Sequence, residues 1–268
     1  MTPPGQSTYY TDAAPVWTVN FGDDVGLPNI CDRNCAGCYN DYAPKNINLT
    51  TSLPDERTQL YKRLGENWFP DDWKFQPQWK EDIKNYFKDS KARKYFLFTG
   101  RGDPLFYMPC IKEYMKIYKE FKYKGYGVIQ TSASLLTQER LNSLIEWNIN
   151  EIIFNPVATN FNPKTLAKME MAQHKLNLAV QIPLLDIYEK QLINHLSFLN
   201  SINLKYLMLT TARIFSKSGA EKLKKALPKP TKVKKLSEYE AIIENQPMLD
   251  RIIKEIKIKN YNIVVVSD

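Results

Sequence analysis

Apolar and polar positions along this chain alternate between two kinds of segment. Six short runs are rich in β-branched and aromatic residues and bounded by turn formers. They are Val16 to Gly22 (VWTVNFG), Tyr95 to Gly100 (YFLFTG), Tyr126 to Ser132 (YGVIQTS), Glu151 to Val157 (EIIFNPV), Leu178 to Leu185 (LAVQIPLL) and Lys205 to Thr211 (KYLMLTT). Each predicts a strand. Between them apolar residues recur at helical spacing, over Pro109 to Tyr123, Thr137 to Trp147, Pro163 to His174 and Glu189 to Leu199. A last helix, Glu238 to Ile258, and an apolar strand, Tyr261 to Val266, close the chain. Strands alternating with helices predict an α/β fold with a parallel sheet. Six βα units are short of the eight in a closed barrel and predict a partial (β/α)6 barrel. Neither an internal repeat nor a low-complexity linker divides the sequence, so residues 1–268 read as one domain.

Composition narrows the class. The chain has 268 residues, 43% hydrophobic and 12% aromatic, which is enough to bury a core and excludes disorder throughout. No apolar run approaches the roughly 20 residues that span a bilayer. The start, MTPPGQSTYYTDAAP, lacks the basic head and apolar centre of a signal peptide. A cytoplasmic protein with reduced thiols is the expectation. Four cysteines do not make a disulfide scaffold, but three of them crowd one loop: Cys31, Cys35 and Cys38 in CDRNCAGCYN. Three thiolates on one short loop converge on a metal. A structural zinc site needs a fourth ligand, which Cys110, His174 or His195 would have to provide. A [4Fe–4S] cluster held by three thiolates keeps one iron open to a ligand that is not protein. The cysteine loop follows the first predicted strand, and Gly100-Arg101-Gly102-Asp103-Pro104 ends the second. Loops after parallel strands share one face of the sheet, so the two features meet there.

Cys31-x-x-x-Cys35-x-x-Cys38-Tyr39 and Thr99 to Pro104 (TGRGDP) resemble the motifs of the radical S-adenosylmethionine (SAM) superfamily. The resemblance covers roughly residues 16 to 215. It implies that Cys31, Cys35 and Cys38 hold a [4Fe–4S] cluster whose open iron is chelated by the amino and carboxylate groups of SAM. It implies that Tyr39 packs by the adenine, and that Gly100, Arg101, Gly102, Asp103 and Pro104 stand where the family's Gly-Gly-Glu-Pro holds the SAM amino group. An Arg between the glycines and an Asp for the Glu are departures from that pattern. Thr131, Ser132 and Ser134 fall where ribose hydroxyls are often contacted, and Gln181 and Asp186 where a segment flanks adenine. Asn155 and Arg213 end or follow strands and are candidates for a carboxylate of SAM or substrate. The implied reaction is reductive cleavage of SAM to a 5′-deoxyadenosyl radical that takes a hydrogen atom from substrate, with electrons from a donor such as flavodoxin or ferredoxin.

Substrate class is less legible. No cysteine follows Cys110, so no auxiliary cluster is expected in the C-terminal half. Residues 50–93 insert Trp68, Phe69, Trp73, Phe75, Trp79, Tyr86 and Phe87 among charges, which suits either a peptide groove or a helical cap. Residues 216–268 form a basic extension. Its stretch from Lys217 to Lys235 has eight lysines and one acid, Glu221, a solvated face or a site for an acidic polymer. Without interleaved aromatics it does not read as a base-reading surface, so nucleic acid ranks lower. Cys110 is a candidate hydrogen donor to a substrate radical, or simply a packed thiol. The expectation is a radical SAM enzyme acting on a polypeptide, first as a maturase of a ribosomally made peptide with a separate leader-binding partner. The alternatives are a glycyl-radical activase, a nucleoside or RNA modifier, and a non-enzymatic metal-cluster protein.

Overall fold

The computed structural model describes residues 16–21, 31, 69, 73–88, 94–100, 102–122, 125–214, 233–235, 241–243 and 245–267. Its framework is a sheet of seven parallel strands in the order β1-β2-β3-β4-β5-β6-β10. These are β1 (Val16–Phe21), β2 (Lys94–Gly100), β3 (Gly125–Thr131), β4 (Ile149–Phe154), β5 (Asn177–Pro183), β6 (Leu204–Thr210) and β10 (Val265–Ser267). The sheet does not close, as expected for a partial barrel. The helices are α1 (Pro77–Phe87), α2 (Met108–Glu120), α3 (Gln138–Glu146), α4 (Pro163–Ala172), α5 (Asp186–Ser201) and α6 (Gln246–Ile258).

Period-two alternation sorts every strand into two faces. Phe96, Phe98, Ile129, Ile152, Phe154, Leu178, Val180, Ile182, Leu207 and Leu209 join the helices in the main core. Their neighbours Leu97, Val128, Ile153, Ala179 and Met208 form a second apolar layer on the inner face. Gly127 of β3 leaves no room for a side chain. A Cβ there would lie 2.2 Å from Ile149 Cδ1 and 2.9 Å from Met115 Sδ.

Helix starts follow local chemistry. Thr137, Asn162 and Asn245 each accept a hydrogen bond from a backbone N–H three residues on, and Pro163 and Pro247 occupy first-turn positions where no donor is needed. That chemistry corrects one expectation. The helix predicted from Glu238 begins only at Gln246, because Asn245 caps it and Pro247 sets its first turn. Ala241–Ile243 is instead a strand, β9, in a small antiparallel sheet with β7 (Ala212–Ile214) and β8 (Val233–Lys235), in the order β7-β9-β8. Two ties fix α6 on α5: Asn245 Nδ2 donates to Asp186 Oδ1 at 2.9 Å, and Arg251 makes a fork to Glu189 at 2.6 and 2.8 Å.

The described part of the aromatic insertion is a helical cap. Ile83 and Phe87 of α1 are fully buried, and Phe69, Trp73, Phe75, Trp79 and Tyr86 pack partly buried against the core. Phe75 meets Tyr114 edge-on at 4.8 Å, and Phe87 meets Phe96 at 5.8 Å. The described rings of the insertion pack as a helical cap does, with partly exposed faces on all but Phe87. Trp68 lies outside the described residues. Among the described residues, no helix is long and apolar enough to cross a membrane.

Candidate functional site

The strands are parallel, so their C-terminal ends form one rim. Cys31 stands half-buried in the segment that follows β1. Gly100 ends β2, paired with Phe21 at the end of β1. Thr131 ends β3, Asn155 follows β4, Gln181 lies near the end of β5, and Thr210 ends β6.

Asp103 is the organising residue of this rim. Its side chain is only 3% exposed, and both oxygens are engaged by the chain itself. Oδ1 accepts from Leu105 N at 3.1 Å and Thr131 Oγ1 at 2.7 Å. Oδ2 accepts from Ser132 N at 2.9 Å, Ser132 Oγ at 2.7 Å and again Thr131 Oγ1 at 2.8 Å. The carboxylate thus caps the short 3-10 turn Pro104–Tyr107 and ties the β2 loop to the end of β3. A buried carboxylate is tolerable only with such a donor set. The visible task of Asp103 is to hold the Gly102-Asp103-Pro104 loop, with its charge met by its own chain's donors. Thr131 and Ser132 share this holding task, because their hydroxyls donate to Asp103. Next to them Ala133 adopts a left-handed φ of 64°. The Lys168 ammonium fixes that bend by donating to the carbonyls of Ala133 and Ser134.

The inner face carries a belt of polar side chains just below the rim. Thr99 Oγ1 donates to Gln130 Oε1 at 2.9 Å, and Gln130 Nε2 donates to Gln181 Oε1 at 2.6 Å. Gln181 Nε2 reaches Thr210 Oγ1 at 3.5 Å. The belt crosses from β2 to β6 directly over the apolar layer of Leu97, Val128, Ile153, Ala179 and Met208. Beside it Asn155 Oδ1 is a buried acceptor with no partner. At the other end of the sheet, Tyr95 and Tyr126 stack edge-on at 4.5 Å. There the fully buried Glu151 accepts from Tyr206 Oη at 2.6 Å and from Lys205 Nζ at 2.8 Å. Burial, and then the Glu151 charge, push the Tyr206 hydroxyl up from its ordinary value.

The other expected residues fall elsewhere. Cys110 is fully buried in α2, and burial pushes its thiol up. The thiol is enclosed, so its visible place is in the packing of α2 against the core. Asp186, just past the end of β5, accepts from Asn245 and serves as a strut to α6. His195 stacks on Phe161 at 4.5 Å, and His174 is exposed ahead of β5, at the opposite end of the sheet from the rim. The backbone of Arg213 pairs with Ile242 in the small sheet. Cys35, Cys38, Tyr39 and Arg101 lie outside the described residues. So does the stretch 217–232, while Lys234 and Lys235 are in β8. Gln130 and Lys168 were not anticipated from sequence. A lone glutamine in the apolar run YGVIQTS was the signal for the first, and nothing local marked the second.

This arrangement is an open parallel α/β barrel with its polar groups gathered at the C-terminal rim. No protein-family model matches the sequence, and no curated protein matches it. Solved structures do. Streptococcus suis SuiB bound to S-adenosylmethionine superposes with a TM-score of 0.57 over 95% of this chain and 51% of its own, at 11% identity. SuiB bound to the precursor peptide SuiA gives 0.57 over 95% and 49%, at 12% identity. Native anSMEcpe with bound AdoMet and the Cp18Cys peptide gives 0.54 over 94% and 63%, at 11% identity. The chain therefore spans about half the length of SuiB.

Proposed function

We propose that this chain is a radical SAM enzyme that modifies a polypeptide. The observation that carries the reading is the three-cysteine loop of Cys31, Cys35 and Cys38, following β1 in a chain whose fold matches SAM-bound enzymes along nearly its whole length. The peptide part rests on SuiB and anSMEcpe, both of which have structures with a peptide bound.

The residues present suit the implied groups. Three thiolates are the donor set for a [4Fe–4S] cluster with one open iron. Asn155 Oδ1 is a desolvated acceptor waiting for a donor, as an ammonium or hydroxyl of SAM would be. When bound, the cluster and SAM supply one-electron cleavage of a carbon–sulfur bond and a 5′-deoxyadenosyl radical that takes a hydrogen atom. The chain's own tasks are orientation and exclusion of water. Asp103 holds the Gly102-Asp103-Pro104 loop to β3, so that its backbone groups are positioned before any ligand arrives. The Gln130–Gln181 pair offers half-buried amides on the inner face. The apolar layer beneath and the Glu151–Tyr206 closure at the far end keep water from entering below.

Co-expression with a short precursor peptide encoded beside the enzyme tests the reading. A mass change in that peptide, lost with Cys38→Ala, is expected. An unchanged mass with every neighbouring peptide, or modification of a large reductase or lyase instead, would turn the reading toward another substrate.

A further inference from the structure

The polar belt on the inner face has more hydrogen-bonding capacity than its own bonds use. Its ends are the buried hydroxyls of Thr99 on β2 and Thr210 on β6, 8% and 7% exposed. Its middle members, Gln130 of β3 and Gln181 of β5, are only half-buried. Gln130 stands in register with Ile153 of β4 and reaches across that strand to Gln181 at 2.6 Å. A glutamine amide has two N–H donors and two acceptor lone pairs. Gln130 spends one donor on Gln181 and one lone pair on Thr99, and Gln181 spends one lone pair on Gln130 and one donor on Thr210. Each glutamine therefore keeps one N–H and one lone pair. Turning both amides over reverses the direction of the chain and leaves the same spare set.

The balance of this spare set decides what can meet it. A carboxylate only accepts, so it would satisfy the two spare N–H groups and face the two lone pairs unmatched. An ammonium only donates and fails in the opposite way. An amide group both donates and accepts, and matches the set without leaving either kind of group unmet. The surroundings act in the same direction. An apolar layer of Leu97, Val128, Ile153, Ala179 and Met208 lies beneath the belt. Of the two buried carboxylates described, Asp103 is closed by donors of its own chain, and Glu151 lies under the apolar layer with Tyr206 and Lys205. A charge seated on the belt would exchange water for neutral amides and hydroxyls over an apolar floor, which is costly.

We infer that Gln130 and Gln181 together bind an amide group of the polypeptide substrate and so seat an uncharged residue on the inner face. This inference rests on the peptide reading above. It gives Gln181 a substrate contact in place of the adenine contact that the sequence resemblance implies. Two hydrogen bonds of opposite sense also fix the direction of the bound amide, which holds the neighbouring carbon in one orientation. Every peptide group meets the requirement, and so do the side chains of asparagine and glutamine.

Saturation-transfer NMR on the full chain with SAM present tests this directly. The probes are the N-acetyl N′-methylamides of alanine, asparagine, aspartate and lysine. The alanine and asparagine probes are expected to bind saturably, and the aspartate and lysine probes at least about tenfold more weakly. Equal affinity for alanine and asparagine assigns the belt to the main chain, and a clear preference for asparagine assigns it to a side-chain amide. Gln130→Met and Gln181→Met, close in shape to the wild type, should each weaken the neutral probes by at least about fivefold. Gln181→Glu keeps the acceptor for Gln130 but withdraws the spare donor, so it should weaken the neutral probes and admit the lysine probe. Equal binding of neutral and charged probes, no saturable binding of the neutral ones, or unchanged binding in all three variants overturns the inference. So does a loss of SAM affinity, read by equilibrium dialysis, that matches the loss of probe affinity, since that returns Gln181 to the cofactor. The two readings fail separately. Peptide modification that proceeds unaltered in both methionine variants sinks the amide site and leaves the function standing. Amide-selective binding that Gln181→Glu retunes, in a chain that modifies no peptide, sinks the function and leaves the site.

Discussion

Replacing Asp103 separates a holding role from a ligand-charge role. Asp103→Ala strands two buried backbone donors, Leu105 N–H and Ser132 N–H, and frees the Thr131 and Ser132 hydroxyls. Hydroxyls can rotate toward other acceptors, but the backbone donors cannot. Each orphaned buried donor costs about 1–3 kcal/mol, so the loss is about 3–5 kcal/mol. In a chain of this size that is about 10 °C in melting temperature. Asp103→Asn keeps one accepting oxygen but turns an amide N–H₂ against donors, and about 2 kcal/mol is expected. Ser132→Ala removes a single hydroxyl donor and should cost about 1 kcal/mol. Urea unfolding under anaerobic conditions measures all three, and equilibrium dialysis measures SAM affinity in parallel. The expected order of destabilisation is Asp103→Ala, Asp103→Asn, Ser132→Ala, with SAM affinity falling in the same order. An Asp103→Asn variant of normal stability that has lost SAM would refute the reasoning, since that is the signature of a carboxylate acting on the ligand's positive charge. Less than about 1 kcal/mol lost in Asp103→Ala would refute it equally.

Other variants follow from the same packing. Gly127→Ala should destabilise by about 1–3 kcal/mol, because the new methyl meets Ile149 and Met115, and a shortened Ile149→Val partner should restore part of it in a double-mutant cycle. Glu151→Ala should cost about 2–4 kcal/mol, at the lower part of the range for buried pairs because Lys205 is 43% exposed; chemical denaturation reads it, and no loss would remove the closure from the account. Stability should fall as pH rises above about 9 to 10. Burial lifts the Cys110, Tyr118 and Tyr206 protons above the ordinary 9.0, 10.0 and 10.0, so the unfolded chain ionises first; a curve flat to pH 11 would contradict this. Cys110 should resist iodoacetamide in the native chain and react on unfolding, and Cys110→Ala should keep peptide modification; its loss in a stable variant would restore the hydrogen-donor role.

The parallel sheet was legible because its strands are buried on both faces and read as near-continuous apolar runs. The run LAVQIPLL became β5 and KYLMLTT became β6, each displaced by a residue or two at the ends. EIIFNPV was read too long, since Pro156 opens a 3-10 turn after Phe154. The small sheet was not legible. Its strands are three residues each, and β8 and β9 find β7 only through pairing distant in sequence. At the rim, the glycine-rich loop and the ends of β3 and β5 were placed correctly, yet the sequence does not say which donors a carboxylate will meet. The bonds from Thr131 and Ser132 to Asp103 span 28 and 29 residues, and the Lys168 bonds 34 and 35. Such contacts depend on register between neighbouring elements, which local pattern does not carry. Cys110 illustrates the same limit, since residue type alone does not separate a reactive thiol from a packed one.

The central claim is tested most directly by iron content and SAM turnover in the anaerobically reconstituted chain. The account predicts about four irons per chain. It also predicts 5′-deoxyadenosine from SAM only when a reductant is supplied, and none from Cys35→Ala. One tightly held zinc with no iron, or SAM left intact by the reduced wild-type chain, would contradict it.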